Sequence, residues 1–152
     1  MSDTSAATPS FRQLLSQKTD EVERPRPLAE GHYIGIILSH EFGVTKQKNT
    51  DFVRFRLVPQ EEASDVPDGA NAGMDITRRE VRKDFFITPP ALYRLSDMLD
   101  AVLGKQTGRS FDQRITETRG LRVMFSVSHR KQLDDAGNVT NTFEDIGTII
   151  AA

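Results

Sequence analysis

The chain has 152 residues, of which 37% are hydrophobic and 28% are charged, and its net charge is −2. This length suits one globular domain, and the near balance of charge argues against a protein that coats duplex DNA by charge alone. The absence of cysteine excludes disulfides, thiolate catalysis and cysteine-based zinc sites. The sequence has neither an apolar run of the roughly 20 residues that span a bilayer nor an N-terminal signal pattern, so we expect a cytoplasmic protein without membrane attachment.

Residues 1–27 are expected to form a flexible segment ahead of the folded domain. The segment starts with small polar residues and ends with an Arg-Pro-Arg-Pro motif, which is typical of an extended linker. Within it, residues 11–17 place Phe11, Leu14 and Leu15 on one side of one or two helical turns. Such a short helix is stable only when it is docked on another surface.

The predicted domain, residues 28–152, begins with a long strand over residues 32–42. Apolar side chains lie on both faces of this strand, because its residues alternate from one face to the other. One face carries Ile34, Ile36 and Leu38, and the other carries Tyr33, Gly35 and Ile37. Gly35 indicates a bend or a close approach of another backbone, as the long first strand of a small barrel requires.

The second predicted strand, residues 51–58, follows a polar loop and gives the clearest functional signal. Val53, Phe55 and Leu57 alternate with Phe52, Arg54 and Arg56. An aromatic ring beside two guanidinium groups suits a surface that stacks bases and neutralises phosphates. The structural alternative is that the arginine stems cover apolar neighbours and that Phe52 packs under a loop.

The third predicted strand spans residues 74–87 and follows a flexible, acidic loop. That loop, together with its flanks (residues 60–75), carries five acidic residues and neither lysine nor arginine. A bulge near residues 79–81 leaves the register of the strand open. The side chains beside the second strand are then either Arg78 and Arg82 or Arg79 and Lys83.

One helix, residues 89–103, is predicted between the third and fourth strands. Thr88 can cap its start, and Gly104 is suited to end it. Its apolar stripe consists of Leu92, Leu95, Leu99, Val102 and Leu103. A polar connection follows, with a short turn expected around residues 111–115.

Two strands, residues 120–131 and 139–150, complete the chain on either side of a turn at residues 134–138. The order of elements predicts a mainly β protein, a five-stranded OB-like barrel with one helix between strands 3 and 4. Other small β-rich folds with one helix share this order.

Two segments resemble phage-encoded single-stranded DNA-binding proteins with an OB fold. Residues 27–35, Pro-Leu-Ala-Glu-Gly-His-Tyr-Ile-Gly, resemble the start of the first strand in that family, as does Lys-x-Lys-Asn-Thr-x-Phe-Val-Arg-Phe at 46–55. The likeness covers roughly residues 27–150 and implies binding of replication or recombination intermediates without sequence preference in a bacterial cytoplasm. Many such proteins end in an acidic tail that recruits partners, whereas this chain ends Thr-Ile-Ile-Ala-Ala.

The predicted nucleic-acid-binding residues come from several segments that converge on one face of the barrel. They are Tyr33, Lys46, Lys48, Phe52, Arg54, Arg56, Arg78, Arg82 and Arg130. The basic residues are expected to neutralise phosphates, while Phe52 and Tyr33 stack on bases. The predicted partner is single-stranded DNA, with RNA as an alternative. A second copy of the chain and replication or recombination proteins are further candidate partners.

No enzymatic activity, cofactor or metal site is predicted. The sequence has no P-loop, no dinucleotide-binding glycine pattern and no His-Glu-x-x-His motif, and its three histidines stand far apart. The alternative function is a non-enzymatic protein-interaction or phage assembly module that buries the strand-2 face against protein. An enzyme such as a nuclease ranks last, because no carboxylates cluster on a predicted core strand.

Overall fold

A computed structural model that describes residues 10–19 and 26–152 shows a five-stranded antiparallel sheet and three α-helices. The mainly β architecture predicted from the sequence is confirmed. Residues 1–9 and 20–25, which make up most of the predicted flexible segment 1–27, lie outside the described residues. None of the helices in the described part of the chain has the length and apolar character needed to cross a bilayer.

The strands and helices follow one another in the order α1, β1, β2, β3, α2, α3, β4, β5. Their bounds are α1 Phe11–Leu15, β1 Gly31–Val44, β2 Asp51–Glu62, β3 Val81–Phe86, α2 Leu92–Leu103, α3 Phe111–Glu117, β4 Arg122–Leu133 and β5 Val139–Ala151. In the sheet the order is β3-β2-β1-β4-β5. Backbone hydrogen bonds do not join the two edge strands, β3 and β5, so the sheet is open between them.

The core contains side chains from all five strands and from α2 and α3. In β2, Val53, Phe55 and Leu57 are fully buried, as the alternation of that strand predicts. Their neighbours Phe52 and Arg54 turn away from the core and are partly exposed. β2 therefore has one buried face and one accessible face.

β1 occupies the centre of the sheet and pairs with both β2 and β4. Its register with β2 shifts between Ile34 and Gly35 and again between Ile37 and Ser39. Such irregularities bend a strand and change which face its side chains occupy. A Cβ atom on Gly35 would lie 2.3 Å from the carbonyl oxygen of Val58, so the close backbone approach predicted at Gly35 is confirmed.

The third strand is shorter than the sequence predicts. Residues Ile76–Arg78 form a 3-10 turn, and β3 begins only at Val81. The carboxylate of Asp75 accepts the backbone N–H of Thr77 at 3.1 Å and thereby caps this turn. A local side-chain acceptor of this kind gives the backbone an alternative to pairing in a sheet.

The segment between β3 and β4 holds two helices where the sequence predicts one. α2 begins at Leu92 rather than at residue 89, because the carbonyl of Thr88 accepts the first N–H groups in a turn that contains two prolines. The predicted apolar stripe is confirmed and gains Met98. Gly104, at φ 85°, ends α2 as predicted.

α3 lies within the predicted polar connection, where the sequence predicts a short turn around residues 111–115, and it extends to Glu117. The hydroxyl of Ser110 accepts the N–H of Gln113, and the side chain of Gln113 accepts the N–H of Ser110, which completes a capping box. Buried Arg114 then donates to Asp100 at 2.8 Å and to the carbonyl oxygen of Gly104 at 2.6 Å. These bonds tie α3 to the C-terminal end of α2.

Candidate functional site

The outward face of β1, β2 and β3 brings the predicted binding residues beside side chains that the sequence did not assign. Residues directly opposite one another on paired strands share a face. Three rows cross this face: Gly43–Phe52–Phe86, Glu41–Arg54–Asp84 and Ser39–Arg56–Arg82. Aromatic rings therefore lie at one end of the face, and charged side chains follow along it.

Phe52 and Phe86 provide the aromatic end of this face. The ring of Phe52 lies over Gly43, where a Cβ atom would come within 2.6 Å of the ring. The guanidinium carbon of Arg54 lies 5.2 Å from the centroid of the same ring, which is a cation–π arrangement. Phe86 is 46% exposed, so the pair offers apolar ring surface to a ligand.

Carboxylates of the chain itself hold the two arginines of β2. Arg54 donates from Nε and Nη2 to the two carboxylate oxygens of Asp84, at 2.8 and 3.0 Å. Arg56 donates to Glu41 at 2.5 Å and to Glu80 at 2.8 Å. Hydrogen bonds to these carboxylates raise the pKa of both arginines. The guanidinium groups are thus charged and ordered, but they already have anionic partners.

A groove of about 560 Å³ lies where the open edges of β3 and β5 approach each other. Its lining includes four cations, Arg54, Arg82, Lys83 and Arg130. It also includes four carboxylates, Glu80, Asp84, Glu144 and Asp145. The groove is therefore strongly polar and close to neutral overall.

The side of the groove formed by β4 and β5 carries a second arginine on an aromatic ring. The guanidinium carbon of Arg130 lies 4.7 Å from the centroid of the Phe143 ring, and its Nε lies 3.4 Å from Asp145. By contrast, Arg82 is exposed and makes no ion pair with any residue in the described ranges. Arg82 is thus the cation of this groove most accessible to an incoming anion.

Arg54, Arg82 and Arg130 are the predicted site residues that the structure brings together in the groove. Phe52 and Arg56 lie on the same face of β2 as Arg54, whereas Lys46 and Lys48 are exposed in the β1–β2 turn. Of the two predicted registers of the third strand, the structure supports the one with Arg82 beside the second strand, but only in part. Arg82 shares the face of Arg56, but its predicted companion Arg78 does not lie on a strand.

Arg78 belongs to the 3-10 turn that precedes β3. Its side chain is 87% exposed, and its Nε lies 3.5 Å from Asp75. The prediction that Arg78 accompanies Arg82 on the third strand is therefore wrong. Because Asp75 caps a turn that contains Arg78, this residue does not take part in the alternation of side chains along β3.

Tyr33 is completely buried, which contradicts its predicted role as a base-stacking ring. Its hydroxyl donates to the carbonyl oxygen of Ala29 at 2.6 Å and accepts from Asn71 at 2.9 Å. Its ring stacks on Phe125 with centroids 6.0 Å apart. Burial raises the pKa of the phenol. Tyr33 is a core residue because the face of β1 that carries it turns inward.

Sequence reasoning missed Phe86 and Phe143 as candidate stacking rings. Of the adjacent pair Phe85 and Phe86, alternation allows only one to enter the core, and the other must face outward. The adjacent phenylalanines are visible in the sequence, but only the pairing of Phe52 with Phe86 shows which of them lies on the binding face. Phe143 had no comparable local signal.

Within the described ranges, no group of three or more His, Asp or Glu residues is arranged to hold a metal ion. Neither a scan of the chain against protein-family models nor a search of curated proteins finds a match.

Proposed function

We propose that this protein binds single-stranded DNA without sequence preference, in phage or bacterial DNA replication or recombination, and acts in the bacterial cytoplasm. The observation that carries the proposal is the groove with an arginine–aromatic pair on each side, Arg54 on Phe52 and Arg130 on Phe143. Rings accept any base by stacking, and arginines accept the phosphates between them. Neither kind of contact depends on the base sequence of the DNA.

The proposed fold is an OB-like, partly open five-stranded barrel. Two observations support it: a bent first strand is shared between β2 and β4, and α2 contacts both β3 and β5 across the open edge. In OB folds the surface of strands 2 and 3 and the adjoining loops bind oligonucleotides. The face that carries Phe52, Arg54 and Arg82 occupies that position.

The proposed mechanism is an exchange of anions. In the free protein, Asp84 forms an ion pair with Arg54, and Asp145 forms one with Arg130. A phosphate takes their place when the strand enters the groove. The pair of Arg130 with Asp145 is exposed and contributes only about 0.2–1 kcal/mol, so exchanging it costs little. The side chains of the bidentate pair Arg54–Asp84 are only 27% and 37% exposed, so a phosphate has to replace two hydrogen bonds there. Arg82 and Lys83 attract the polyanion before any pair is broken.

The decisive experiment is a fluorescence anisotropy titration of labelled oligo-dT at low and moderate salt. Phe52→Ala with Arg54→Ala should weaken binding roughly tenfold or more, because one stacked base alone contributes about 1–3 kcal/mol. A matched control is Tyr93→Ala with Arg94→Ala. That pair is also a cation–π pair, with 5.6 Å from guanidinium to ring centroid, but it lies on α2 outside the groove.

The two possible failures of this experiment have different meanings. Wild-type protein that does not bind oligo-dT at low salt would reject the proposed function. Unchanged binding by the Phe52/Arg54 double variant would reject this face and leave the function open. A parallel titration with oligo-rU compares RNA with DNA.

The second candidate is a non-enzymatic protein-interaction or phage assembly module. The near neutrality of the groove favours it, because four carboxylates beside four cations suit a peptide of mixed charge better than a polyanion. The unpaired edges of β3 and β5 also offer backbone groups to an extended segment. Light scattering at several concentrations separates the two functions. Tight assembly that oligonucleotide does not change would favour this candidate.

A further inference from the structure

The short helix α1 has an apolar side that nothing in the described structure covers. A capping box of Ser10 and Gln13 fixes its first turn. Phe11, Leu14 and Leu15 are 76%, 48% and 70% exposed. A helix of five residues makes too few hydrogen bonds to be stable in water by itself. Its apolar side therefore needs a partner surface.

A suitable apolar surface lies at the end of the β1–β2 hairpin. Phe42 and Val44 are 56% and 54% exposed, and together with Ile87 they line a pocket of about 340 Å³. Asp51 lines the same pocket and supplies a carboxylate with which Arg12 of α1 can pair. Clustered exposed apolar side chains of this kind mark interaction sites. We call Phe42, Val44, Asp51 and Ile87 the hairpin-end patch.

We propose that α1 of one copy of the chain docks on the hairpin-end patch of a second copy. The pairing joins two apolar surfaces that have no partner within the described chain, with an arginine on one and a carboxylate on the other. It also satisfies the requirement that α1 dock in order to be stable. No additional protein has to be invoked.

The exposure of both surfaces favours a second copy over docking within one chain. Phe11 of α1 is 76% exposed and Phe42 of the patch is 56% exposed, so α1 does not cover the patch of its own chain in the described structure. A second copy can supply the α1 that covers this patch.

The proposed contact leaves the cations of the groove accessible, whereas it covers part of Phe52, which also lines the pocket. Phe42 pairs with Val53 and so lies on the face of the hairpin opposite to Arg54. Reciprocal docking of two copies would give a closed dimer, and one-way docking would give an open chain. Since few side chains take part, we expect weak association that grows with protein concentration.

Sedimentation velocity of the full-length protein over a range of concentrations, without oligonucleotide, tests the contact. Wild-type protein should associate as its concentration rises. Phe11→Ser with Leu15→Ser should remain monomeric, and so should Phe42→Ser on the other surface. Leu133→Ser is the matched control, because Leu133 is 57% exposed on the β4–β5 hairpin. Circular dichroism checks that each variant is folded, as expected for exposed positions.

A mixing experiment distinguishes a contact between copies from one within a chain. The Phe42→Ser protein keeps an intact α1, and the Phe11→Ser/Leu15→Ser protein keeps an intact patch, so their mixture should form heterodimers that neither forms alone. Wild-type protein that stays monomeric throughout would overturn the proposal. So would a mixture that fails to associate, or single-surface variants that associate as strongly as wild type. None of these outcomes depends on binding of DNA.

Discussion

Arg54 and Asp84 determine how much charge the outward face of β2 and β3 presents. The two side chains lie directly opposite on paired strands, and two hydrogen bonds join them. A bidentate pair holds the guanidinium in one plane beside the Phe52 ring, so the arginine is ordered before a ligand arrives. The same carboxylate reduces the positive potential that a phosphate meets. Asp84 therefore orders the guanidinium of Arg54 and competes with phosphate for it.

Asp84→Asn should strengthen binding to oligo-dT. The amide removes a negative charge from the groove and releases Arg54 for phosphate, so the slope of log affinity against log salt should steepen by about one. Anisotropy titrations at several salt concentrations measure both changes.

Asp97→Asn provides the control for net charge, since Asp97 is exposed on α2 and the substitution changes the total charge by the same amount. It should change the affinity much less than Asp84→Asn does. If the two variants bind equally well, overall charge rather than the Arg54–Asp84 pair controls the interaction.

At the scale of the element, Gly35 and Gly43, two of the three glycines of β1, have different roles. A Cβ atom on Gly35 would meet the backbone oxygen of Val58, which cannot move without disturbing β2. A Cβ atom on Gly43 would meet only the outer end of the Phe52 ring, which can rotate away. Gly35 is therefore needed for the sheet, and Gly43 is needed for the position of the Phe52 ring on its surface.

We accordingly expect Gly35→Ala to destabilise the fold by about 1–3 kcal/mol, the usual cost of overpacking. Gly43→Ala should leave the melting temperature nearly unchanged and weaken binding of oligo-dT by displacing Phe52. Thermal denaturation and anisotropy measured on both variants check this division. Equal losses of stability would show that Phe52 is as rigidly held as the backbone of β2.

The elements that the sequence predicts well are those set by local signals. The end of α2 at Gly104 and the turn at residues 134–138 are of this kind. In the turn, the carboxylate of Asp134 accepts the N–H groups of Ala136 and Asn138, and these bonds lower its pKa. Each signal involves residues within a few positions of one another, so no knowledge of the fold is required.

The predictions that are wrong or incomplete concern residues whose surroundings are set by distant parts of the chain. Both faces of β1 are apolar in sequence, so alternation could not show that Tyr33 faces the core. The register shift between Ile37 and Ser39 adds to this, because it leaves Leu38 44% exposed. The ion pair of Arg54 with Asp84 depends on the register of residues 30 apart in the chain. Sequence reasoning could therefore find the cations but not the carboxylates that hold them.

At the scale of the whole molecule, a side-chain contact spans the opening that backbone pairing leaves between β3 and β5. Arg79, just before β3, forms an ion pair with Glu144 of β5 and also donates to the carbonyl oxygen of Arg26. The two side chains are only 25% and 15% exposed. The pair thus connects the start of the domain, the edge of β3 and the edge of β5.

A double-mutant cycle with Arg79→Met and Glu144→Met should show that this pair helps to hold the sheet together. Each single change leaves a mostly buried polar group without its partner, so each should lower the free energy of unfolding by about 1–3 kcal/mol. The double variant should lose less than the sum of the two, because neither group is then left alone. Chemical denaturation gives the energies, and hydrogen exchange should show faster exchange in β3 of either single variant. Additive losses with unchanged exchange in β3 would mean that α2, which contacts both edges, is sufficient to hold them in place.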